Sequence, residues 1–226
     1  MDMQGALAYL SDLEHNNNRT WFHDTKARRN EAQQAFEALL SDLMERIGAF
    51  DPSVLGRDPK SLTFKFPRDT RFSHDKSPYN PSLRAHIGPA GKLPVPVGYY
   101  LMIQPDGRSF LGGGLFAGMF KDATARVRRA IAERGDEWEA LIADPAGVGC
   151  FTVEGEALKR VPQEFDPDHP QGSWLKHKSW YIEHHVPDEE VSATGFVDAA
   201  AATFERMQPL NAFLNRALEG FEMPAR

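Results

Sequence analysis

Residues 97–111, with the sequence VGYYLMIQPDGRSFL, decide the fold because they combine two strand patterns with a turn. Every second side chain from Val97 to Ile103 is apolar and would face one side of a strand. Pro105-Asp-Gly-Arg108 predicts a turn, since Pro fixes its own φ and Gly accepts a positive φ. Phe110-Leu111 then begins a returning strand, so the segment predicts an antiparallel hairpin.

Three other segments are expected to form strands. Residues 62–66 and 180–186 alternate between two faces, and residues 150–153 are expected to form a short strand. Gly112-Gly-Gly114 is expected to end or bulge the returning strand and to allow close backbone packing. The chain therefore predicts a sheet of about five strands.

Helical periodicity appears toward both ends of the chain. In residues 36–47 apolar side chains recur at i, i+3, i+4, i+7, i+8 and i+11, the stripe of an amphipathic helix, with Gly48 as its stop. The chain is helical again from Ser192, and Pro209 is expected to open a new helix. Shorter helices are predicted at residues 6–14, 120–131 and 138–142.

The order of these elements predicts an α+β fold. The strands are not each separated by a helix, which disfavours a doubly wound parallel sheet. We expect a central, mainly antiparallel sheet with N- and C-terminal helices packed on one face. No linker or low-complexity tract divides the chain, so residues 1–226 are expected to form a single domain.

Net charge and cysteine content indicate which partners and which cellular compartment to expect. The 226 residues carry a net charge of −6, so nucleic-acid binding by the surface as a whole is unlikely on electrostatic grounds. Cys150 is the only cysteine and is expected to be a small buried hydrophobe. A chain without an internal disulfide fits the cytoplasm. The N-terminal residues lack a basic region followed by an apolar run, so no signal peptide is expected, and no apolar stretch has membrane length, so no membrane partner is expected.

The loop at residues 68–79 is the first candidate site, because cations and carboxylates are crowded in it. Arginine grips phosphate or carboxylate through two hydrogen bonds, and the acids would orient the cations or compete with the ligand. The alternative is an ion-paired network that only fixes the loop. The proposed ligand-binding residues of this loop are Arg68, Asp69, Arg71, Asp75, Lys76 and Tyr79.

A second candidate lies between residues 156 and 178. His169 next to Asp168 would form the acid/base pair if chemistry occurs there. An ordinary Pro-rich turn is the more frequent origin of such a pattern, and no defined metal motif is present, so no metal is expected. Lys159, Arg160 and Lys176 bracket this turn and would add to the ligand-binding set.

Adjacent His184 and His185 lie on a predicted strand, so their rings should point to opposite faces, one buried and one exposed. They would then not chelate one ion together. The chain also lacks the Ser-His-Asp, GxSxG, HExxH and dinucleotide-binding signatures, which excludes the commonest enzyme classes.

Several blocks together are similar to the family called domain of unknown function 2461. They are residues 68–79 (RDTRFSHDKSPY), 98–103 (GYYLMI), 110–115 (FLGGGL), 158–162 (LKRVP) and 166–170 (DPDHP). The resemblance covers nearly the whole chain and implies a single-domain, cytoplasmic protein, without any assigned catalytic residue or cofactor. His74 and Asn80 stand where this family usually has lysines, which lowers the positive charge near the first loop.

Two main hypotheses about function follow. The first is binding, with or without catalysis, of a small phosphorylated or carboxylated ligand at the basic loop 68–79. The second is a non-enzymatic interaction module for a protein or nucleic-acid partner, in which the charged loops serve as scaffold. Neither a cofactor nor an oligomeric state is predicted.

Overall fold

The computed structural model describes residues 2–71, 73–116, 118 and 120–224. The α-helices among these residues are α1 (Met3–His15), α2 (Arg19–Asp24), α3 (Lys26–Ile47), α4 (Pro59–Leu62), α5 (Lys121–Glu133), α6 (Gly135–Ala143), α7 (Gly172–Leu175), α8 (Asp188–Val191) and α9 (Phe196–Ala217). Short 3-10 helices occupy Pro52–Val54 and Val148–Cys150. The strands are β1 (Leu83–Ile87), β2 (Tyr99–Ile103), β3 (Ser109–Leu115) and β4 (Trp180–Val186).

The described strands form one antiparallel sheet in the order β1-β2-β3-β4. The predicted hairpin is confirmed as β2 and β3, and the turn between them contains Asp106 and Gly107, both with positive φ. The Asp188 carboxylate accepts the backbone N–H groups of both turn residues, at 2.9 and 3.0 Å. The α+β class and the antiparallel sheet are therefore confirmed.

Helices from both ends of the chain cover one face of the sheet. The C-terminal helix α9 packs along β3, α3 packs on α9 and β1, and α1 packs on α3. Their apolar stripes join the inward residues of the strands in one cluster of buried side chains that runs from Met3 to Leu218. The opposite face of the sheet carries no comparable helix layer within the described residues.

The prediction of about five strands is slightly wrong, since the described chain has four. Residues 62–66 are not a strand, because α4 ends at Leu62 and only single pairings join this segment to β1. These are the Thr63–Ala85 bridge and a hydrogen bond of 2.8 Å from Phe64 N to Arg84 O. The sequence analysis missed β1, although LRAHI alternates in the manner of a strand.

Residues 150–153 are also not a strand, because the backbone groups just before them are engaged locally. Gly149 N donates to Asp144 O at 2.7 Å, and Cys150 N donates to Gly147 O at 3.3 Å. These bonds produce the 3-10 turn in place of a ladder. Cys150 is exposed, so the expectation of a buried thiol was wrong.

Two expectations about element ends are also corrected. The glycines at 112–114 lie inside β3, which continues to Leu115, and the close approach of α9 requires a small residue at Gly113. A Cβ on Gly113 would lie 3.1 Å from Cβ of Met207 in α9. Pro209 lies within α9 and does not open a new helix. Its loss of one intrahelical hydrogen bond is offset by the buried residues on either side, such as Met207 and Leu210.

Candidate functional site

The open face of the sheet contains a cavity of about 350 Å³. Strand pairing places His86, Tyr100, Gly112 and Glu183 in one row across the four strands. Since side chains alternate along a strand, these residues share the face opposite the helix layer. Such a concave and mostly apolar surface with few polar groups is typical of a small-molecule site.

Four aromatic residues line the cavity, namely Phe64, Tyr100, Phe110 and Phe116. Tyr100 and Phe110 are stacked with centroids 5.5 Å apart, and Phe64 lies 6.2 Å from Tyr100. Phe116 stacks on Tyr181 at 3.9 Å and an interplanar angle of 22°, and 43% of Phe116 is exposed. Exposed, ordered aromatic faces beside a cavity offer stacking surface to a ring compound.

Glu183 is the acidic group of the cavity. Its side chain is only 23% exposed, and its nearest charged partner is Nε2 of His185 at 3.8 Å. Within the described residues no hydrogen bond reaches its carboxylate. Burial raises the pKa of Glu183, His185 opposes that rise and the charge of Glu154 adds to it. A carboxyl group that burial perturbs in a cleft beside an ionisable neighbour is a frequent mark of a functional site.

His86 contributes a ring nitrogen whose protonation state follows from the hydrogen bond made by the other nitrogen. Its Nδ1 lies 2.8 Å from the carbonyl oxygen of Gly91. Because a carbonyl only accepts, Nδ1 must donate, so the neutral ring carries an unprotonated Nε2. Burial lowers the pKa of His86 and the hydrogen bond to Gly91 opposes this shift. The neutral His86 ring is therefore a hydrogen-bond acceptor in the cavity wall.

The cations near the cavity already have partners. Lys92 lines the cavity, and its Nζ donates to Thr63 O at 3.0 Å. Arg84 Nη2 donates to Lys65 O at 3.1 Å, and its guanidinium lies 5.7 Å from the centroid of Phe64. Burial raises the pKa of Tyr100, an effect that the charge of Arg84 opposes.

Gly112 lies in the row of the open face, next to Gly113 and Gly114, which line the cavity. A Cβ at this position would lie 3.5 Å from both Tyr100 and Phe110, at ordinary contact distance. Any larger side chain would have to project between Tyr100 and Glu183, its neighbours in the row. The absence of a side chain at Gly112 thus leaves space above the centre of the sheet.

The 68–79 loop holds its charged groups in internal pairs. Arg68 pairs with Asp75, and Arg71 grips Asp69 through Nε–Oδ1 at 2.9 Å and Nη2–Oδ2 at 2.6 Å. These contacts lower the pKa of both carboxyl groups. Lys76 Nζ donates to the Thr70 carbonyl at 3.0 Å. An anion at this loop would have to compete with two carboxylates.

Tyr79 holds the end of this loop against the helices. Its ring stacks on Phe22 at 3.7 Å, and its backbone exchanges hydrogen bonds with the Asn17 side chain, at 3.1 and 2.9 Å. Neither Tyr79 nor the loop's five charged residues line the sheet-face cavity, although the structure describes all six. Ligand binding by this loop stays a prediction.

In the second predicted site, His169 and Asp168 lie in a turn. Nδ1 of His169 accepts from Gln171 N at 3.0 Å, and Asp168 N donates to Asp166 Oδ1 at 2.9 Å. In the described structure no hydrogen bond joins His169 to Asp168. No group of three or more His, Cys, Asp or Glu side chains there could hold a metal ion. An acid/base role for this pair stays a prediction.

Backbone contacts join the two basic segments that lie before and after this turn. Leu158 N donates to Lys176 O at 2.8 Å, and Ala157 pairs with His177. Lys159 and Arg160 therefore follow directly on a segment that is held beside Lys176.

The two adjacent histidines lie on opposite faces of β4, as expected, but the expectation that one of them is buried was wrong, because both His184 and His185 are exposed. The helix layer does not extend over His184, and its nearest aromatic neighbour is Phe151 at 6.2 Å. His185 lies on the open face, where it contacts Phe110 at 5.9 Å.

The sequence analysis missed the cavity although a signal was present. The predicted strands carry aromatic residues on both faces, as at Tyr99 and Tyr100. A strand that is apolar on both sides is either buried on both faces or exposes an apolar surface with a role. Glu183 and His86 had no recognisable motif, because only the sheet register brings them into one row.

No helix within the described ranges has the length and apolar character needed to cross a membrane. No curated protein and no solved structure matches the chain. The family model described as Conserved hypothetical protein (DUF2461) matches residues 5–213, nearly the whole sequence. The resemblance carried by the motif blocks is thus confirmed, and the chain belongs to the DUF2461 family of conserved hypothetical proteins.

Proposed function

We propose that residues 1–226 act as one domain that binds a small ring compound in the cavity on the open sheet face. The observation that carries this proposal is the Glu183 carboxylate, which is largely buried among aromatic rings without a hydrogen-bond donor from the described chain. Partial burial of this carboxylate costs free energy, and a ligand that donates a hydrogen bond to it would recover part of that cost.

The cavity walls support a flat ligand. Stacking on rings such as Tyr100 and Phe116 contributes about 0.5–1.5 kcal/mol per aromatic pair beyond area burial. The cavity volume of about 350 Å³ lies at the lower end of small-molecule sites, which supports a compound of one or two rings. If the bound compound reacts, Glu183 is the carboxyl group in the cavity that could transfer a proton, and burial raises its pKa.

A second candidate is a small phosphorylated or carboxylated ligand at the basic loops. The backbone hydrogen bond from Leu158 to Lys176, directly before Lys159 and Arg160, supports it. The 68–79 loop, with Arg68 and Arg71, belongs to the same hypothesis, and His169 with Asp168 would supply any acid/base chemistry. We place either activity in the cytoplasm, where the lone exposed thiol of Cys150 would remain reduced.

A thermal-shift screen separates the two candidates. The panel contains heteroaromatic bases, nucleosides, sugar phosphates and small carboxylates. A ring compound at about 100 times its Kd should stabilise the fold by about 2.7 kcal/mol. For a chain of this size that stabilisation raises Tm by roughly 5–10 °C.

Two variants assign any shift to a site. Phe110→Ala removes cavity wall and should abolish the shift caused by ring compounds, whereas Arg71→Ala should leave it unchanged. A shift caused by anions and lost only in Arg71→Ala would support the second candidate. Ring compounds that shift wild type and Phe110→Ala equally would refute binding in the cavity.

Glu183→Gln is expected to raise the stability of the ligand-free protein at pH 7. A carboxyl group with a raised folded-state pKa costs nothing below its unfolded pKa, where both states are protonated. The cost grows as the pH rises from the unfolded-state pKa to the folded-state pKa and stays complete above it, so the amide removes a penalty that exists only at the higher pH. The gain should fade as the pH falls toward about 4.

Urea titrations between pH 4 and pH 8 measure this difference, with Glu45→Gln as a control in the exposed part of α3. The control should show no comparable gain at high pH. A Glu183→Gln variant less stable than wild type at pH 7 would show that the carboxylate has a structural partner.

A further inference from the structure

We infer that the cavity selects ring compounds carrying N–H or O–H donors, uncharged or cationic, and discriminates against anions of the same shape. This inference rests on the proposed function and names the ligand class of the same site. Glu183 and His86 supply the two acceptors that recognise such a ligand.

The two acceptors are built into the same row of the sheet. Their backbones lie three strand spacings apart, about 14 Å, with Tyr100 and Gly112 between them. Each lies on the cavity side of an edge strand. A ring lying over Tyr100 and Gly112 would therefore present opposite edges to Glu183 and to His86.

Both acceptors have capacity to spare. The Glu183 carboxylate accepts no hydrogen bond within the described chain and has only His185 as an ionic neighbour, at 3.8 Å. The hydrogen bond from His86 Nδ1 to Gly91 leaves Nε2 as an acceptor without a partner among the described residues. Two unsatisfied acceptors call for a ligand with donors.

The N–H donors of the two cations near the cavity are largely hydrogen-bonded to the protein, exposed at the rim or shielded from solvent. One N–H of Lys92 is used by the Thr63 carbonyl, and Lys92 is an exposed residue at the rim. Arg84 Nη2 is used by the Lys65 carbonyl, and Arg84 Nε, although unpartnered, is shielded from solvent. An anion in the cavity would face Glu183 without a free, desolvated cation to offset the repulsion.

A matched trio of probes tests this ligand class. Benzamidine, benzamide and benzoate share one ring and one planar substituent, which changes from a cationic donor to a neutral amide to an anionic acceptor. Binding is followed by ¹H–¹⁵N correlation spectra, in which the amides of Gly112, Gly113 and Gly114 report on the cavity floor. We expect affinity to fall in the order benzamidine, benzamide, benzoate.

The expected discrimination is large enough to measure. A charge-assisted hydrogen bond contributes roughly 10- to 100-fold in affinity, so benzamidine should bind at least about tenfold more tightly than benzoate. Glu183→Gln keeps the shape and removes the charge, and should reduce that ratio to about one. Glu45→Gln, which is remote from the row, should preserve the ratio.

His86→Phe tests the second acceptor with 4-aminobenzamidine, whose added amine should improve affinity over benzamidine in wild type only. Far-UV circular dichroism and melting curves establish that each variant folds.

Benzoate binding as tightly as benzamidine, with a dependence on Lys92 shown by Lys92→Met, would overturn the donor preference while leaving cavity binding intact. Absence of binding by every probe and every compound of the thermal-shift panel would overturn both proposals together.

Discussion

Replacing Gly114 by alanine should destabilise the protein by about 3–4 kcal/mol. The residue has φ +104°, a backbone conformation that costs an L side chain roughly 1–2 kcal/mol. Its added Cβ would lie 2.3 Å from the Trp180 carbonyl oxygen and 2.6 Å from the Tyr181 Cα. Relieving such overlap typically costs a further 1–3 kcal/mol. Both neighbours are backbone atoms of β4, so relief requires that β3 and β4 separate locally.

Equilibrium urea denaturation measures this loss, and Gly107→Ala is the matched control. Gly107 also has a positive φ, +66°, but an added Cβ would meet nothing within 4 Å. The control should therefore lose only the conformational contribution, about 1 kcal/mol. Equal losses in the two variants would mean that the close approach of β4 does not matter.

Asn211→Ala is expected to cost about 3 kcal/mol, because one buried side chain satisfies two backbone groups. Its Oδ1 accepts from Gly114 N at 2.8 Å, and its Nδ2 donates to Gly98 O at 3.0 Å. Only 2% of Asn211 is exposed, so water cannot replace these bonds without opening the packing of α9 on the sheet. Each orphaned buried group costs roughly 1–3 kcal/mol.

Asn215→Ala provides the comparison one helical turn later. Asn215 makes the same kind of bonds, to the N–H and the carbonyl of Val97 at 2.7 and 2.9 Å, but it is only half-buried. Its loss should be smaller, about 1 kcal/mol, since water can reach the released groups. Denaturation midpoints that rank the two variants in reverse order would contradict the role of burial. Because Gly98 and Gly114 line the cavity, Asn211→Ala should also weaken ligand binding.

The sequence predicted the parts of the fold that depend on local pattern. The turn at Asp106-Gly107 and the stripe of α3 were legible because turn chemistry and helical periodicity act over a few residues. Residues 62–66 show the limit of that approach. They alternate as a strand would, yet α4 extends to Leu62, and only the Thr63–Ala85 bridge and one further hydrogen bond join the segment to β1.

The candidate site was less predictable because it depends on register. Charge density drew attention to the 68–79 loop, where Arg71 and Asp69 contact each other across two residues. Glu183 and His86 are ordinary residues in sequence and become notable only when three strand pairings align them. The aromatic residues on the second strand face, such as Tyr100, were the one available signal.

The strand order determines how much of the chain must be synthesised before the complete sheet and its cavity can form. Strands β1 to β3 form a contiguous meander that ends at Leu115, whereas β4 begins only at Trp180, after α5, α6 and α7. A nascent chain released up to residue 179 thus contains the stacked Tyr100 and Phe110 but no Glu183, and its β3 edge has no neighbour. Glu183 and α9, the helix that packs along β3, are therefore present only after the last fifth of the sequence, from residue 180 onward, has been synthesised.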